Sequence, residues 1–252
     1  MADPNKGFQI RHLTETEEAL IGKLVTIQEE YESPSEEDFN KITPFILGDN
    51  EEDSMTRKQH ITELTILNVQ LIVEHSKRIP GFESIFKEDQ ITLLKTCFSE
   101  VMMLRAARRY DTETDSIYFA HNKPYTRETF HRASMGEFGD TTFRFCRTMC
   151  CMEVDNVEYA LLTAIVTFCD TPKLLARKKV ERFREFYIEI LRSYTTINRP
   201  ADENYFATLL SILDELRTLG DMNSKHYSFL KVYYKKLPPC LEEIWQTAML
   251  HT

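Results

Sequence analysis

Along most of this chain apolar residues recur at three- and four-residue intervals, the spacing that lines one face of an α-helix. Thr14 and Glu17 have capping-box spacing ahead of Leu20, Ile21, Leu24 and Val25, which predicts a first helix. Ser33-Pro34-Ser35-Glu36 repeats the signal, with Pro34 at a first-turn position. The polar, acidic stretch at about 48–54 reads as a loop. A long helix is predicted at about 56–78, stopped by Pro80-Gly81. Ile61, Thr65, Asn68, Ile72 and His75 share one of its faces, and Ile66, Val73 and Lys77 another. Apolar residues on both sides place that helix in the middle of the domain.

Neither Gly nor Pro interrupts residues 87–110, which favours another long helix. Ile117-Tyr118-Phe119 is a short strand-like run, and His121-Asn122-Lys123-Pro124 reads as the turn after it. Helical patterns resume at about 127–138 and 141–152. One more starts at Asp155, with Glu158 at box spacing, and ends at Asp170-Thr171-Pro172. Further helices are expected at about 174–197 and from 202 towards 235. After Leu237-Pro238-Pro239 a short amphipathic helix follows, at about 240–249. No internal repeat or low-complexity segment interrupts the pattern.

Composition sharpens this picture. A chain of 252 residues with 42% hydrophobic content can bury a sizeable core. Its 7 glycines compare with the roughly 18 expected at average usage, a deficit that disfavours turn-rich sheet proteins. The net charge of −9 is concentrated between Glu15 and Asp53, where thirteen acids face two lysines. That segment carries −11, so the remainder is +2, and no basic face of the kind that neutralises many phosphates is implied. The six cysteines lie in apolar helical patterns without a CxxC pair, which favours reduced, buried thiols. No apolar run reaches the roughly 20 residues of a membrane span, and the chain reads as intracellular.

Enzyme signatures such as GxSxG, HExxH or a phosphate loop are lacking, and the seven histidines have no metal-ligand spacing. The chain therefore reads as neither an enzyme nor a metal protein. Arg105 and Arg109 are sharper: they lie four apart on a face shared with Ile91, Phe98 and Met102. They either snorkel to solvent or pair with an acid, or they anchor ligand oxygens inside an apolar pocket. The short helix containing Glu243 and Trp245 cannot be stable alone and must dock, so its stability depends on what it docks against.

Two spaced segments carry a resemblance. Lys77-Arg78-Ile79-Pro80-Gly81-Phe82 followed by Asp89-Gln90-Ile91-Thr92-Leu93-Leu94-Lys95 resembles the signature of the nuclear hormone receptor ligand-binding domain. Leu241-Glu242-Glu243-Ile244-Trp245 resembles that family's activation helix. Ser99-Glu100-Val101-Met102-Met103-Leu104-Arg105, Ala107-Arg108-Arg109-Tyr110-Asp111 and Glu215-Leu216-Arg217-Thr218-Leu219-Gly220 narrow the resemblance to the arthropod ecdysteroid-binding branch. It extends from about Leu13 to Met249 and is weakest at 40–56 and 171–206.

The resemblance implies an all-α, three-layer antiparallel helical sandwich around the helix at 56–78, with one small β-hairpin near Ile117. Residues 1–12 are then a tail and 13–252 the ligand-binding domain, DNA contact belonging to a separate domain. It implies a ligand-activated transcription factor of the nucleus, with no cofactor. Its ligand would be an ecdysteroid of the ecdysone or ponasterone type. Glu32 and Arg109 are implied to meet the steroid-ring hydroxyls, with Arg105 beside them, the Ala120 backbone a keto oxygen and Thr65 the core hydroxyl. Ile61, Met102, Met103, Met135, Asn223, Leu230, Leu237 and Trp245 match pocket-wall positions. Lys77 and Glu243, with Lys95 bordering, would grip an LxxLL coactivator helix. Leu209, Leu213, Leu216, Arg217 and Leu219 would form the seam with an ultraspiracle/retinoid X receptor-type partner.

The chain departs from the insect pattern at four positions. Asn68 replaces a pocket threonine, Phe130 a tyrosine that meets a side-chain hydroxyl, Thr142 a pocket leucine and His75 a signature phenylalanine. An oxysterol- or bile-acid-type receptor is the alternative within the family. A helical sterol or lipid carrier lies outside it, and an all-α enzyme further off. The terminal helix and Lys77 weigh against carrier and enzyme, which need neither.

Overall fold

A computed structural model describes residues 11–46, 50–120 and 123–226, with side chains of the last helix described up to residue 220. Its first helix, α1 (Glu15–Glu30), begins at the expected capping box: Thr14 accepts from Glu17 N while the Glu17 carboxylate accepts from Thr14 N. Arg11, at the edge of the expected tail, donates to Ser193 Oγ at 2.8 Å and pairs with Glu17. The helix α2 (Glu36–Phe39) is capped by Ser35, so Pro34 lies ahead of the cap rather than inside the first turn.

The long helix α3 (Glu51–Arg78) starts within the stretch read as a loop. Asn50 Oδ1 accepts from Asp53 N at 2.8 Å, and Glu51, Glu52 and Asp53 occupy the positive end of the helix dipole. The acidic run is therefore a first turn, not a linker. Gly81 then turns the chain at φ 95°, and a Cβ there would meet the Phe183 ring at 2.4 Å.

The uninterrupted α4 (Lys87–Arg108) leads into a three-stranded antiparallel sheet of β1 (Tyr110–Asp111), β2 (Ser116–Ala120) and β3 (Lys123–Thr126). Tyr110 pairs with Ile117, Ile117 with Tyr125, and Ala120 with Lys123. The sheet is thus larger than one hairpin, and Lys123-Pro124 belongs to a strand; β3 is an edge, where a missing N–H is tolerated. Tyr125 donates to His60 Nε2 at 2.9 Å, while His60 Nδ1 donates to the Thr43 carbonyl at 2.6 Å. The Thr43 carbonyl can only accept, which assigns the ring proton to Nδ1.

Two helices, α5 (Arg127–Arg132) and α6 (Gly136–Cys151), replace the patterns read at 127–138 and 141–152. The break comes earlier because Ser134 takes a left-handed φ of 58°. Met135 N then bonds the Phe130 carbonyl at 2.8 Å and Ser134 N the His131 carbonyl at 3.0 Å, the paired bonds of a Schellman end. Gly139 sits mid-helix because a Cβ there would lie 2.6 Å from Phe130 Cβ.

The helix α7 (Asn156–Thr167) carries the expected box, Asp155 with Glu158, and buries every residue from Glu158 to Thr167. The buried Glu158 pairs with Arg199 at 3.0 Å and accepts from Tyr205 Oη at 2.9 Å. Two more helices, α8 (Arg177–Asn198) and α9 (Tyr205–His226), complete the described fold. Asp89 of α4 holds the turn leading into α8, accepting from Leu175 N at 2.7 Å and Ala176 N at 2.8 Å. Gln90 donates to the carbonyls of Phe82 and Ile85. These contacts give the signature's polar residues a structural role.

The layers are those of a helical sandwich, with one change from expectation. The α4 helix packs against α3, α6, α7 and α9, and α7 against α1, α4 and α8, so α4 and α7 fill the middle. The α3 helix packs on α1, α2 and α4 and lies in an outer layer, with Met55, Lys58 and Arg78 exposed. Its second apolar face, which suggested a central place, is only half-buried at Ile66. No helix among the described residues is long and apolar enough to cross a membrane. Cys97, Cys146 and Cys169 are buried free thiols, but Cys150 and Cys151 are exposed. Cys240 lies outside the described residues.

Candidate ligand-binding site

Where α3, α4, β2, α5 and α6 converge, a small cavity of about 30 Å³ opens. Ile61, Leu64, Thr65 and Asn68 line it from α3, Met102 from α4, Phe119 from β2, Phe130 from α5, and Met135 and Phe138 from the start of α6. Six residues named from sequence meet here: Ile61, Thr65, Asn68, Met102, Phe130 and Met135. Leu64, Phe119 and Phe138 were missed, although Leu64 is adjacent to Thr65 in sequence and Phe119 to Ala120.

The polar side chains of this wall turn back on their own helix. Thr65 Oγ1 donates to the Ile61 carbonyl at 2.8 Å, and Asn68 Nδ2 to the Leu64 carbonyl at 2.9 Å. Phe130 sits among rings, with centroids 6.3 Å from Phe119 and 6.0 Å from both Phe138 and Phe143. Met103 and Thr142 stand outside the cavity lining, Thr142 Oγ1 bonding Met103 Sδ at 3.6 Å and the Phe138 carbonyl at 2.9 Å. Ala120 is buried at the end of β2. On the scale where one water needs roughly 10–15 Å³, the cavity holds little more than water. Its thioethers and rings are the side chains that would have to shift for a larger molecule. A wider cleft of about 410 Å³ beside Phe39, Phe45, His60 and Tyr125 contains none of the expected residues.

One to two turns along α4 from Met102 lies a polar cluster. Arg105 donates to the carbonyls of Tyr31 and Glu32, the latter at 2.6 Å. Arg108 pairs with the Glu32 carboxylate and also donates to Asn156 Oδ1 at 2.8 Å. Arg109 donates to Ser33 Oγ. The acid is therefore partnered by Arg108, a residue to which the resemblance assigned no role. Arg108 lies three residues from Arg105, and that spacing was the available signal. Burial lowers the Arg105 guanidinium to about 10, against the pull of Glu32, and it stays cationic at neutral pH. Burial also lowers Arg109. Three guanidiniums face one carboxylate here, so the cluster keeps a positive surplus.

The remaining expected residues are distributed as follows. Lys77 is half-exposed and pairs with Glu74 at 2.8 Å, while Lys95 is half-buried, its ammonium lowered by burial and by nearby Lys173. Glu243, Leu230, Leu237 and Trp245 lie outside the described residues, as does the terminal helix, and the side chain of Asn223 is not described. On α9, Leu209, Leu213, Leu216 and Leu219 are buried in the chain's own core, and only Arg217 of that set is exposed, donating to the Asp170 carbonyl at 2.9 Å.

Comparison with known proteins bears on this geometry. Residues 49–233 match the family model described as the ligand-binding domain of nuclear hormone receptor. The chain is 50% identical over 240 residues to the ecdysone receptor of Drosophila melanogaster, covering 94% of this chain and 27% of that protein. It is 47% identical over 251 residues to the ecdysone receptor of Heliothis virescens, covering 98% of this chain and 43% of that protein. With the ecdysone receptor of Chironomus tentans the identity is 49% over 245 residues, 96% of this chain and 46% of that protein. The chain thus spans between about a quarter and a half of the length of these relatives. The family match covers the cavity, the signature and the arginines of the polar cluster, and the chain belongs to the nuclear hormone receptor ligand-binding domain family.

Proposed function

We propose that this chain is the hormone-sensing part of a ligand-activated transcription factor of the nucleus and binds an ecdysteroid between α3, α4, β2, α5 and α6. The observation that carries the reading is the convergence of Ile61, Thr65, Asn68, Met102, Phe130 and Met135 on one apolar cavity, with the arginine cluster further along α4. A sterol skeleton suits the apolar part, and its ring hydroxyls suit the polar part. Arg109 supports this, since its one side-chain hydrogen bond among the described residues leaves several guanidinium donors for hydroxyl or keto oxygens. The family is one of ligand-regulated transcription factors rather than enzymes.

The same reading includes two partners. An LxxLL coactivator helix would lie between Lys77, with Lys95 bordering, and Glu243: a carboxylate suits the positive start of a helix and an ammonium its carbonyl end. A retinoid X receptor-type domain would dock along α9. Because the α9 leucines are buried, its seam would draw on the exposed Thr208, Ser211, Asp214, Arg217 and Thr218.

Binding of a labelled ecdysteroid, with and without that partner domain, tests the proposal. Saturable binding that weakens about tenfold or more in Arg109→Leu is expected. Displacement by an oxysterol but not by an ecdysteroid would move the chain to the other sterol class, and no sterol binding would sink the reading. Glu243→Lys should abolish ligand-dependent capture of an LxxLL peptide while ecdysteroid affinity holds.

A further inference from the structure

Behind the arginine cluster is a second, more enclosed cavity of about 10 Å³, between the end of α1, α3, α4 and α7. Glu32, His75, Val101, Leu104, Arg105 and Tyr159 are among the residues lining it. Three buried polar atoms of this lining have no hydrogen-bond partner among the described residues: Glu32 Oε1, His75 Nδ1 and Arg105 Nε. Glu32 is otherwise held by Arg108, and Arg105 by the carbonyls of Tyr31 and Glu32. His75 is only 4% exposed, so bulk solvent does not satisfy it.

Leaving a buried polar atom unsatisfied is costly, and more so for charged groups. Three such atoms around one cavity therefore call for a common partner. Size, charge and hydrogen-bond capacity each limit what that partner is. A cavity of about 10 Å³ is at the lower bound for one water, roughly 10–15 Å³ on the same measure, and excludes anything larger. A guanidinium and a carboxylate both face the space, so an anion would meet Glu32 and a cation Arg105. The occupant is neutral. Arg105 Nε can only donate, Glu32 Oε1 only accept, and His75 Nδ1 accepts when the ring proton sits on Nε2.

We propose that this cavity is a binding site for one water molecule, which accepts from Arg105 Nε–H and donates to Glu32 Oε1 and His75 Nδ1. The donors and acceptors then balance, with one water lone pair and both water protons used. The water joins α3, α4 and the segment after α1, and it holds the second oxygen of the carboxylate whose first is held by Arg108. His75 is the residue that makes the site complete, because a phenylalanine, as in the family signature, offers no acceptor. Burial and the neighbouring Arg105 push the His75 imidazole down to about 3, so it stays neutral and able to accept across ordinary pH. Arg105, Glu32, Arg108 and Tyr159 are the titratable groups that line the cavity with it. The site shares Glu32 and Arg105 with the polar cluster to which the proposed function gives the sterol hydroxyls.

Two measurements on the whole chain test this. In a crystal structure fine enough to show ordered water, one peak is expected at about 2.7–3.2 Å from all three atoms. The imidazole ¹⁵N shifts of His75 should report a neutral ring protonated on Nε2 from pH 8 to 5. A side chain filling the cavity, no peak at all, or a proton on Nδ1 would overturn the proposal. His75→Phe should lose the peak; a peak kept there would remove His75 from the site. If that variant does not fold, the two wild-type measurements still decide.

Discussion

The apolar cavity at Met102 and the polar cluster at Arg105–Arg109 were read from sequence as one pocket, yet they solve burial in opposite ways. In the cavity, Thr65 and Asn68 satisfy their donors on carbonyls of their own helix, four residues back. Among the described residues no other element holds those donors, and the wall of thioethers and rings can adapt. In the cluster, every guanidinium is tied to the segment after α1, more than seventy residues away in sequence. Moving any of them breaks charge-assisted bonds in a partly dry setting. The first region is suited to accommodating a ligand's shape, the second to discriminating its oxygens.

Removing the ring that closes the cavity should have the largest effect. Phe138→Ala deletes a buried ring packed on Phe130 and is expected to cost about 4 kcal/mol in urea unfolding. A loss under about 1 kcal/mol would mean that the wall collapses freely and is not close-packed.

Next comes the cluster. Arg105→Met keeps the apolar stem but strips the donors from the carbonyls of Tyr31 and Glu32, and about 3 kcal/mol of stability should go with them. If stability is unchanged, those bonds are not what holds the segment after α1.

A smaller effect separates the regions by pH. The folded-state value of His75, about 3, lies below its ordinary 6.5. The contribution of the neutral ring is therefore fully present above about pH 6.5 and drains away as pH falls towards 3. Between pH 7.5 and 5 the chain should lose about 2 kcal/mol from this group. His75→Phe should flatten that part of the profile, whereas Phe138→Ala should leave its slope alone. An unchanged slope in His75→Phe would assign the acid sensitivity elsewhere.

The smallest expected change lies in the adaptable region. Phe130→Tyr adds a hydroxyl to a wall that has none at that point, and affinity for ecdysteroids with a side-chain hydroxyl should rise about fivefold, or about 1 kcal/mol. Equal binding of ligands with and without that hydroxyl would show that the position does not reach it.

What was legible from sequence was local. The boxes at Thr14–Glu17 and Asp155–Glu158, the uninterrupted α4 and the signature around Pro80 depend on residues within one or two turns of each other, and periodicity records them. Six cavity residues were legible through the resemblance and the α3 face. Only the tertiary structure decided that α4 and α7, rather than α3, fill the middle, because several helices carry apolar faces and their total burial selects among them. It also decided that α5 stops at Arg132, short of the left-handed Ser134, so that Gly139 of α6 packs closely on Phe130. The four α9 leucines face inward for the same reason: periodicity marks an apolar face but not what covers it. Which arginine meets Glu32 was settled by a contact between residues 76 apart in sequence, a separation no local pattern encodes.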